Sequence, residues 1–175
     1  MMERSEGIAV TASLSSRRLA DLYERHVGRA VALATLVGGN ADAAEDIAHE
    51  AFIRAASRLS GLRDASAFDA YLRRTVVNLC RARARRAAIE RRYVRWLVRR
   101  ESEAPPSRTE DRDVLWRALR QLPHRQLAAV VLRYYEDLSE EQVADAMRCS
   151  PRAVNALVSR AMAALRERIQ EEEPT

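Results

Sequence analysis

The sequence predicts an all-α protein: two helical domains joined by a flexible linker, the C-terminal one containing a helix-turn-helix. Three observations lead there. The 175 residues include only five glycines and five prolines and are 47% hydrophobic, with many of the apolar positions filled by Ala and Leu, which favour helices. Apolar residues recur at i, i+3, i+4 and i+7 over most of the chain. One stretch breaks that periodicity, residues 101–112, where Pro105-Pro106-Ser107 sits between acidic residues and reads as an interdomain linker. The domains expected on either side are residues 14–100 and 113–170.

The elements follow in order. Residues 1–13 read as a loose tail. A first helix is expected from about Ser16 to Val37, with Leu19, Leu22, Tyr23, Val27, Ala30, Val31 and Ala34 on one face, stopped by Gly38-Gly39. A second starts at Asp42, which makes a capping-box spacing with Glu45. Its apolar side is Ala44, Ile47, Ala48, Ala51, Phe52, Ala55 and Leu59, while Asp42, Glu45, Asp46, His49 and Glu50 make an acidic outer face. Residues 60–66 read as a loop. A long helix begins near Ser66 and is buried through Phe68, Leu72, Val76 and Leu79. Beyond Leu79 it becomes strongly basic. Residues 73–100 hold eleven Arg against the single Glu90, a net +10, whereas the whole chain carries only +5. Arg74, Arg81 and Arg85 fall within about 40° of one another on a helical wheel. A charge run can be a plain solvated face, but one this one-sided points to a polyanion. Tyr93 and Trp96 interleave with it and could contact bases, although core packing is the better reading.

After the linker, Val114, Leu115, Ala118, Leu119 and Leu122 mark a helix that ends at Pro123. The next, about 124–135, is apolar through Leu127, Val130, Val131 and Tyr134. Then come two capped helices joined by a three-residue turn. Ser139 caps the first, with Gln142 closing a capping box, and that helix ends near Met147. Ser150 caps the second, with Pro151 at the first helical position, where its missing N–H costs nothing. Val154, Val158, Ala161 and Leu165 give the second helix one apolar stripe, and the opposite face carries Arg152, Asn155, Ser159 and Arg166. Such a face can enter a major groove, Arg and Asn reading base edges, Ser and Arg holding phosphates. A helical hairpin with a polar outer face is equally compatible with an ordinary bundle. Glu136, Asp137, Glu140, Glu141 and Asp145 make the entry to the motif acidic, so only the second helix should approach phosphate. The tail Glu171-Glu172-Glu173-Pro174 reads as disordered.

Composition excludes other classes. The pI is about 9.8, and all thirty basic residues are Arg. Genome composition accounts for that bias as well as function does, although Arg suits phosphate and base recognition. Cys80 and Cys149 lie far apart with no CxxC pair, as in a reduced protein with two structural thiols. The mixed-charge N-terminus is unlike a signal peptide, and the longest largely apolar run, Ala30 to Val37, is eight residues, too short to cross a bilayer. A soluble, cytoplasmic protein is expected, without membrane insertion. His26, His49 and His124 are scattered, and neither a phosphate-binding Gly-rich loop nor HExxH is present. Asp46 and Glu50, one turn apart, could share a metal, but a solvated or protein-docking face explains them better. No catalytic residue, cofactor or metal is expected.

Four stretches together carry a family resemblance: Asp46-Ile-Ala-His-Glu-Ala-Phe-Ile-Arg-Ala; Ala67-Phe-Asp-Ala-Tyr-Leu-Arg-Arg-Thr-Val-Val-Asn-Leu with the Arg clusters after it; Leu122-Pro-His-Arg-Gln; and Leu132-Arg-Tyr-Tyr-Glu-Asp-Leu-Ser-Glu-Glu-Gln-Val-Ala. Over residues 16–168 the chain resembles bacterial RNA polymerase sigma factors of the extracytoplasmic-function group. The resemblance implies a non-enzymatic initiation factor that binds core RNA polymerase and directs it to promoter DNA. It implies that Asp46, His49, Glu50 and Phe52 dock on the clamp coiled coil of the polymerase largest subunit, with the flap as a further contact. It assigns Arg63, Asp64, Ser66, Arg74, Asn78, Arg81 and Arg85 to capture and melting of the minus-ten element, where holding a base out of the stack costs a few kcal/mol that protein contacts must offset. It assigns Arg152, Asn155, Ala156, Ser159, Arg160 and Arg166 to the minus-thirty-five duplex. Many members also have an anti-sigma partner. Other readings are a stand-alone helix-turn-helix regulator that does not direct initiation, for which the acidic helix would be plain surface, and a metal-dependent nucleic-acid enzyme using Asp46 or Glu50.

The sequence departs from the family pattern at several positions. His49 stands where Gln is frequent, Ala82 where Asp is, and Arg148 where Gly is. Ala153, Asn155, Ala156 and Leu157 replace Thr, Lys, Ser and Arg. On this reading Leu157 and Met162 leave the recognition helix short of phosphate contacts, so duplex affinity without polymerase should be weak and promoter choice unusual.

Overall fold

The computed structural model describes residues 3–38, 41–58, 65–94 and 110–172, with side chains over 19–38, 43–58, 66–90 and 114–170. Every regular element among them is helical: α1 Glu3–Gly38, α2 Ala41–Ala56, α3 Ala65–Val94, α4 Glu110–Arg120, α5 His124–Val130 continuing through a π-helical turn Val131–Tyr135, α6 Glu140–Met147 and α7 Pro151–Glu172.

Helices α1, α2 and α3 pack pairwise into the N-terminal unit. The buried side of α2 is mostly small, Ala44, Ala48, Ala51 and Ala55, which lets it lie close to its neighbours. Larger groups fill the space between, with Leu33 and Val37 from α1 and Phe68, Leu72 and Val76 from α3. In the C-terminal unit, α7 is the central strut against which α4, α5 and α6 pack, through Ala118, Leu127, Ala128, Val143, Val154, Ala161 and Leu165.

Several expectations need correction. The segment expected as a loose tail is already helical from Glu3. It has no proline, and the helix runs through Ser15 and Ser16 without a break. The last residues assigned to the linker belong to α4, which begins at Glu110. Tyr134, placed on an apolar stripe, is 61% exposed, while Leu132 is fully buried. The cause is the π turn: the Glu136 N–H donates to the Val131 carbonyl, five residues back, at 3.1 Å. One extra residue per turn rotates everything after it out of the α-helical phase. Leu115 likewise faces outward. Residues 59–64, Trp96 and the acidic tail beyond Glu172, and the Asp42 and Tyr93 side chains, lie outside what the structure describes.

The two units touch. Helix α3 packs against α6 and α5, and α1 meets α5 and the π turn. The buried apolar residues of both form one continuous cluster from Leu22 to Leu165. At the seam, Glu136, whose side chain is only 2% exposed, accepts from Arg29 at 2.9 Å and lies 3.9 Å from Arg73. Arg73 also pairs with Asp69, which lies 3.2 Å from His26.

Candidate nucleic-acid interface

The helix-turn-helix is built by local chemistry. The Ser139 hydroxyl accepts from the Gln142 N–H at 3.3 Å, and the Gln142 side chain accepts from the Ser139 N–H at 2.8 Å, so the capping box is complete. Glu141, whose own N–H and the Ser139 hydroxyl hold its carboxyl below the usual range, reinforces this first turn. Helix α6 ends at Arg148, which adopts the left-handed conformation at φ 51°. An L-residue there is strained by about 1–2 kcal/mol, which is why glycine suits the position. The Ser150 hydroxyl accepts from the Ala153 N–H at 3.2 Å and starts α7.

Along α7, Val154, Ala161 and Leu165 are buried, and Arg152, Asn155, Ala156, Ser159, Arg160 and Arg166 are exposed on the other side. Leu157 is 9% exposed, and Met162 is half-buried against the core. Neither takes a place on the outer face; both serve the packing of α7 against the core. The core stripe is broader than four residues at one heptad-like spacing, and both lie on its flanks. Asn155 is not idle, since its side-chain amide donates to Glu140 of α6 at 2.8 Å.

On α3, Arg74, Asn78, Arg81 and Arg85 share a face, as the wheel predicts. The structure brings the first three against the C-terminal unit. Arg74 lies 3.7 Å from the Asp145 carboxylate of α6 and stacks near the Tyr71 ring. Asn78 and Arg81 line a pocket whose other wall is His124, Arg125, Ala128 and Met147. Arg85, farther along, is exposed, as is Ser66 at the start of the helix. Arg63 and Asp64 fall outside the described residues. His124 was not singled out by sequence. Burial, and then the Arg81 guanidinium facing it, hold its pKa below the ordinary 6.5, and its Nε2 is enclosed without a hydrogen-bond partner.

The outer face of α2 presents Asp46, His49 and Glu50 to solvent, with Glu50 paired to Arg54 one turn on. Phe52 does not belong with them. It is 6% exposed, edge-on to Tyr23 at 5.0 Å and to Phe68 at 5.7 Å, because it lies on the apolar stripe of the helix, where aromatic contacts favour the core. Its role is to set α2 against α1 and α3. His49 hydrogen-bonds the Tyr23 hydroxyl.

Among the described residues no three His, Cys, Asp or Glu side chains converge to hold a metal. The Cys80 thiol is pushed up to about 12 by burial, which keeps it protonated and inert. Among the described residues no helix is long and apolar enough to cross a membrane.

A basic helix beside a capped helix-turn-helix defines a nucleic-acid-binding class, and comparison with known proteins narrows it. Residues 22–89 match Sigma-70 region 2, and residues 112–165 match Sigma-70, region 4. The RNA polymerase sigma-E factor of Streptomyces antibioticus is 32% identical over 127 residues, 73% of this chain and 71% of the relative. The sigma-H factor of Pseudomonas aeruginosa is 30% identical over 145 residues, 75% of each chain. Among solved structures, the sigma factor RpoE of Bartonella quintana, bound to the anti-sigma factor NepR, has the same fold (TM-score 0.69, 20% identity, covering 90% of this chain and 98% of that one). CnrH, in complex with the cytosolic domain of CnrY, is similar (TM-score 0.62, 22% identity, covering 94% and 96%). This chain belongs to the sigma-70 family, with the two-region organisation of its extracytoplasmic-function group, and is a sigma factor directing transcription initiation.

Proposed function

We propose that the chain divides its work among three surfaces. Residues 14–100 form the unit that docks on core RNA polymerase through Asp46, His49 and Glu50 of α2. The same unit holds the melted minus-ten element through Arg63, Asp64, Ser66, Arg74, Asn78, Arg81 and Arg85. Residues 113–170 read the minus-thirty-five duplex with Arg152, Asn155, Ala156, Ser159, Arg160 and Arg166, and the segment that precedes α4, within residues 101–109, connects the two. The observation that carries this reading is the outer face of α7: three Arg, an Asn and a Ser, all exposed, on a helix whose start is fixed by the Ser150 cap and which follows the fully capped α6. That is the geometry in which side chains reach base edges while the preceding helix stays clear of the groove. The acidic α6 supports this division of labour. An anti-sigma partner is included among the ligands because the solved neighbour from Bartonella quintana is held by one.

The test is co-elution of the chain with bacterial core RNA polymerase on a sizing column, beside an Asp46→Arg, Glu50→Arg variant. Co-elution lost in the variant supports docking through α2. Co-elution that survives it moves the docking surface elsewhere. Separately, Arg152→Ala or Asn155→Ala should alter upstream-element preference while polymerase binding persists; loss of polymerase binding in those variants would show that α7 has been given the wrong task.

A further inference from the structure

One side chain on the outer face of α7 is held in place by the helix before it. The Asn155 amide N–H donates to the Glu140 carboxylate at 2.8 Å, a contact between residues fifteen positions apart that ties the first turn of α6 to the exposed side of α7. Arg160, by contrast, donates to the Ala156 carbonyl within α7 itself. The position of Glu140 is fixed from below. It is the first helical residue after the Ser139 cap, its backbone set by the capping box with Gln142 and by the packing of α6 on α7. The amide of Asn155 is planar, so giving its nitrogen to Glu140 leaves Oδ1 directed away from α6 as a hydrogen-bond acceptor. In the major groove the partners of an acceptor are the exocyclic amines, N6 of adenine and N4 of cytosine, whereas guanine and thymine present acceptor atoms there. A free Asn turns its amide to show either group. A tethered one does not.

From this contact we infer that Glu140 is a positioning residue for base recognition: it holds Asn155 with Oδ1 outward, so that one position of the upstream element is restricted to a base bearing an amine in the major groove, adenine or cytosine. The inference rests on the reading of α7 as the helix that reads duplex DNA. Glu140 itself stays out of the groove and acts through Asn155. Its charge repels phosphate, which lowers affinity for DNA of any sequence. Against that, the Asn155 side chain is ordered before binding rather than during it, so less freedom is lost when the base is met.

The full chain, bound to core RNA polymerase, would select from a pool of duplexes carrying a random segment, and the bases enriched upstream would be counted for the parent and four variants: Asn155→Ala, Glu140→Ala, Glu140→Gln and Glu141→Ala. Glu141 is the charge-matched control, in the same turn of α6 but bonded to Ser139. The parent should favour adenine or cytosine at one position, and Asn155→Ala should cut that preference about tenfold. Glu140→Ala should cut it at the same position by about three- to tenfold, the scale of ordering one side chain. Glu140→Gln, whose amide oxygen still accepts from Asn155, should keep the preference, and Glu141→Ala should keep it too. An unchanged preference in Glu140→Ala overturns the inference while leaving Asn155 as a base reader. Guanine or thymine at the position that Asn155→Ala flattens also overturns it, because Oδ1 then does not face the base. Loss of the preference in Glu140→Gln shows that charge and not the hydrogen bond is at work, and loss in Glu141→Ala shows that any weakening of the first turn of α6 suffices; either result overturns the inference. If Asn155→Ala changes no position, or nothing upstream is enriched by the parent, the reading of α7 has itself failed and the inference falls with it.

Discussion

Helices α2 and α6 are both short, amphipathic and acidic on their polar side, yet their acids meet different fates. On α2, Asp46 and Glu50 face water, and Glu50 has only the Arg54 of its own helix. On and just before α6, Asp145 and Glu136 face arginines of the other unit. The difference lies in what is opposite. Helix α2 packs chiefly on α1 and α3 of its own unit, while α6 is laid across α3, where Arg73 and Arg74 project. An exposed acid is worth little to the fold and remains available to a partner. A covered acid is tied to its arginines, and removing it strands them.

The largest break expected between the two helices is in stability. Glu136→Ala should lower the urea-derived unfolding free energy by about 1–3 kcal/mol, because a buried carboxylate and its hydrogen bonds are lost while Arg29, itself partly in water, recovers some solvation. Asp46→Asn with Glu50→Gln should stay within about 0.5 kcal/mol of the parent. Equal losses would erase the distinction drawn here. Next, Ser139→Ala should cost about 1 kcal/mol by the same measurement, since it removes the acceptor that satisfies the Gln142 N–H at the start of α6.

A pH titration sharpens the comparison at the seam. His124 is kept neutral in the folded chain, its pKa lowered by burial and by Arg81. The unfolded chain therefore binds the proton first. Its contribution is fully present above pH 6.5 and is lost as pH falls from there through the folded value. Thermal melts should show a decline over that window that is shallower in His124→Gln; an identical slope in the variant would remove His124 as the cause. The smallest effect concerns the turn. Arg148→Gly should raise stability by a few tenths of a kcal/mol, left-handed strain relieved against greater unfolded-state entropy, and a loss would mean that the Arg148 side chain contributes contacts beyond its backbone geometry.

Some of this architecture was legible residue by residue. The capping box at Ser139 and Gln142, the cap at Ser150, the stop at Gly38 and the departure at Arg148 are all settled within three or four residues of chain, and each stands where the sequence places it. The basic run and the outer face of α7 were legible for the same reason, since charge and helical phase are local properties. Phe52 shows the limit: its membership of a motif and its place on the apolar stripe pointed in opposite directions, and packing against Tyr23 and Phe68 decided for the core. Tyr134 shows another, because no residue type announces a π turn.

The sequence by itself determined the helical class, the two-unit order, the helix-turn-helix and the family, because periodicity, caps and motif spacing are written along the chain. Only the tertiary structure decided that Leu157 belongs to the core, that His124 faces Arg81, and that α6 lies over the basic face of α3. Those facts depend on which surfaces meet across a long separation in sequence, where burial of a shared apolar cluster and pairing of opposite charges act together, and no local pattern encodes that meeting.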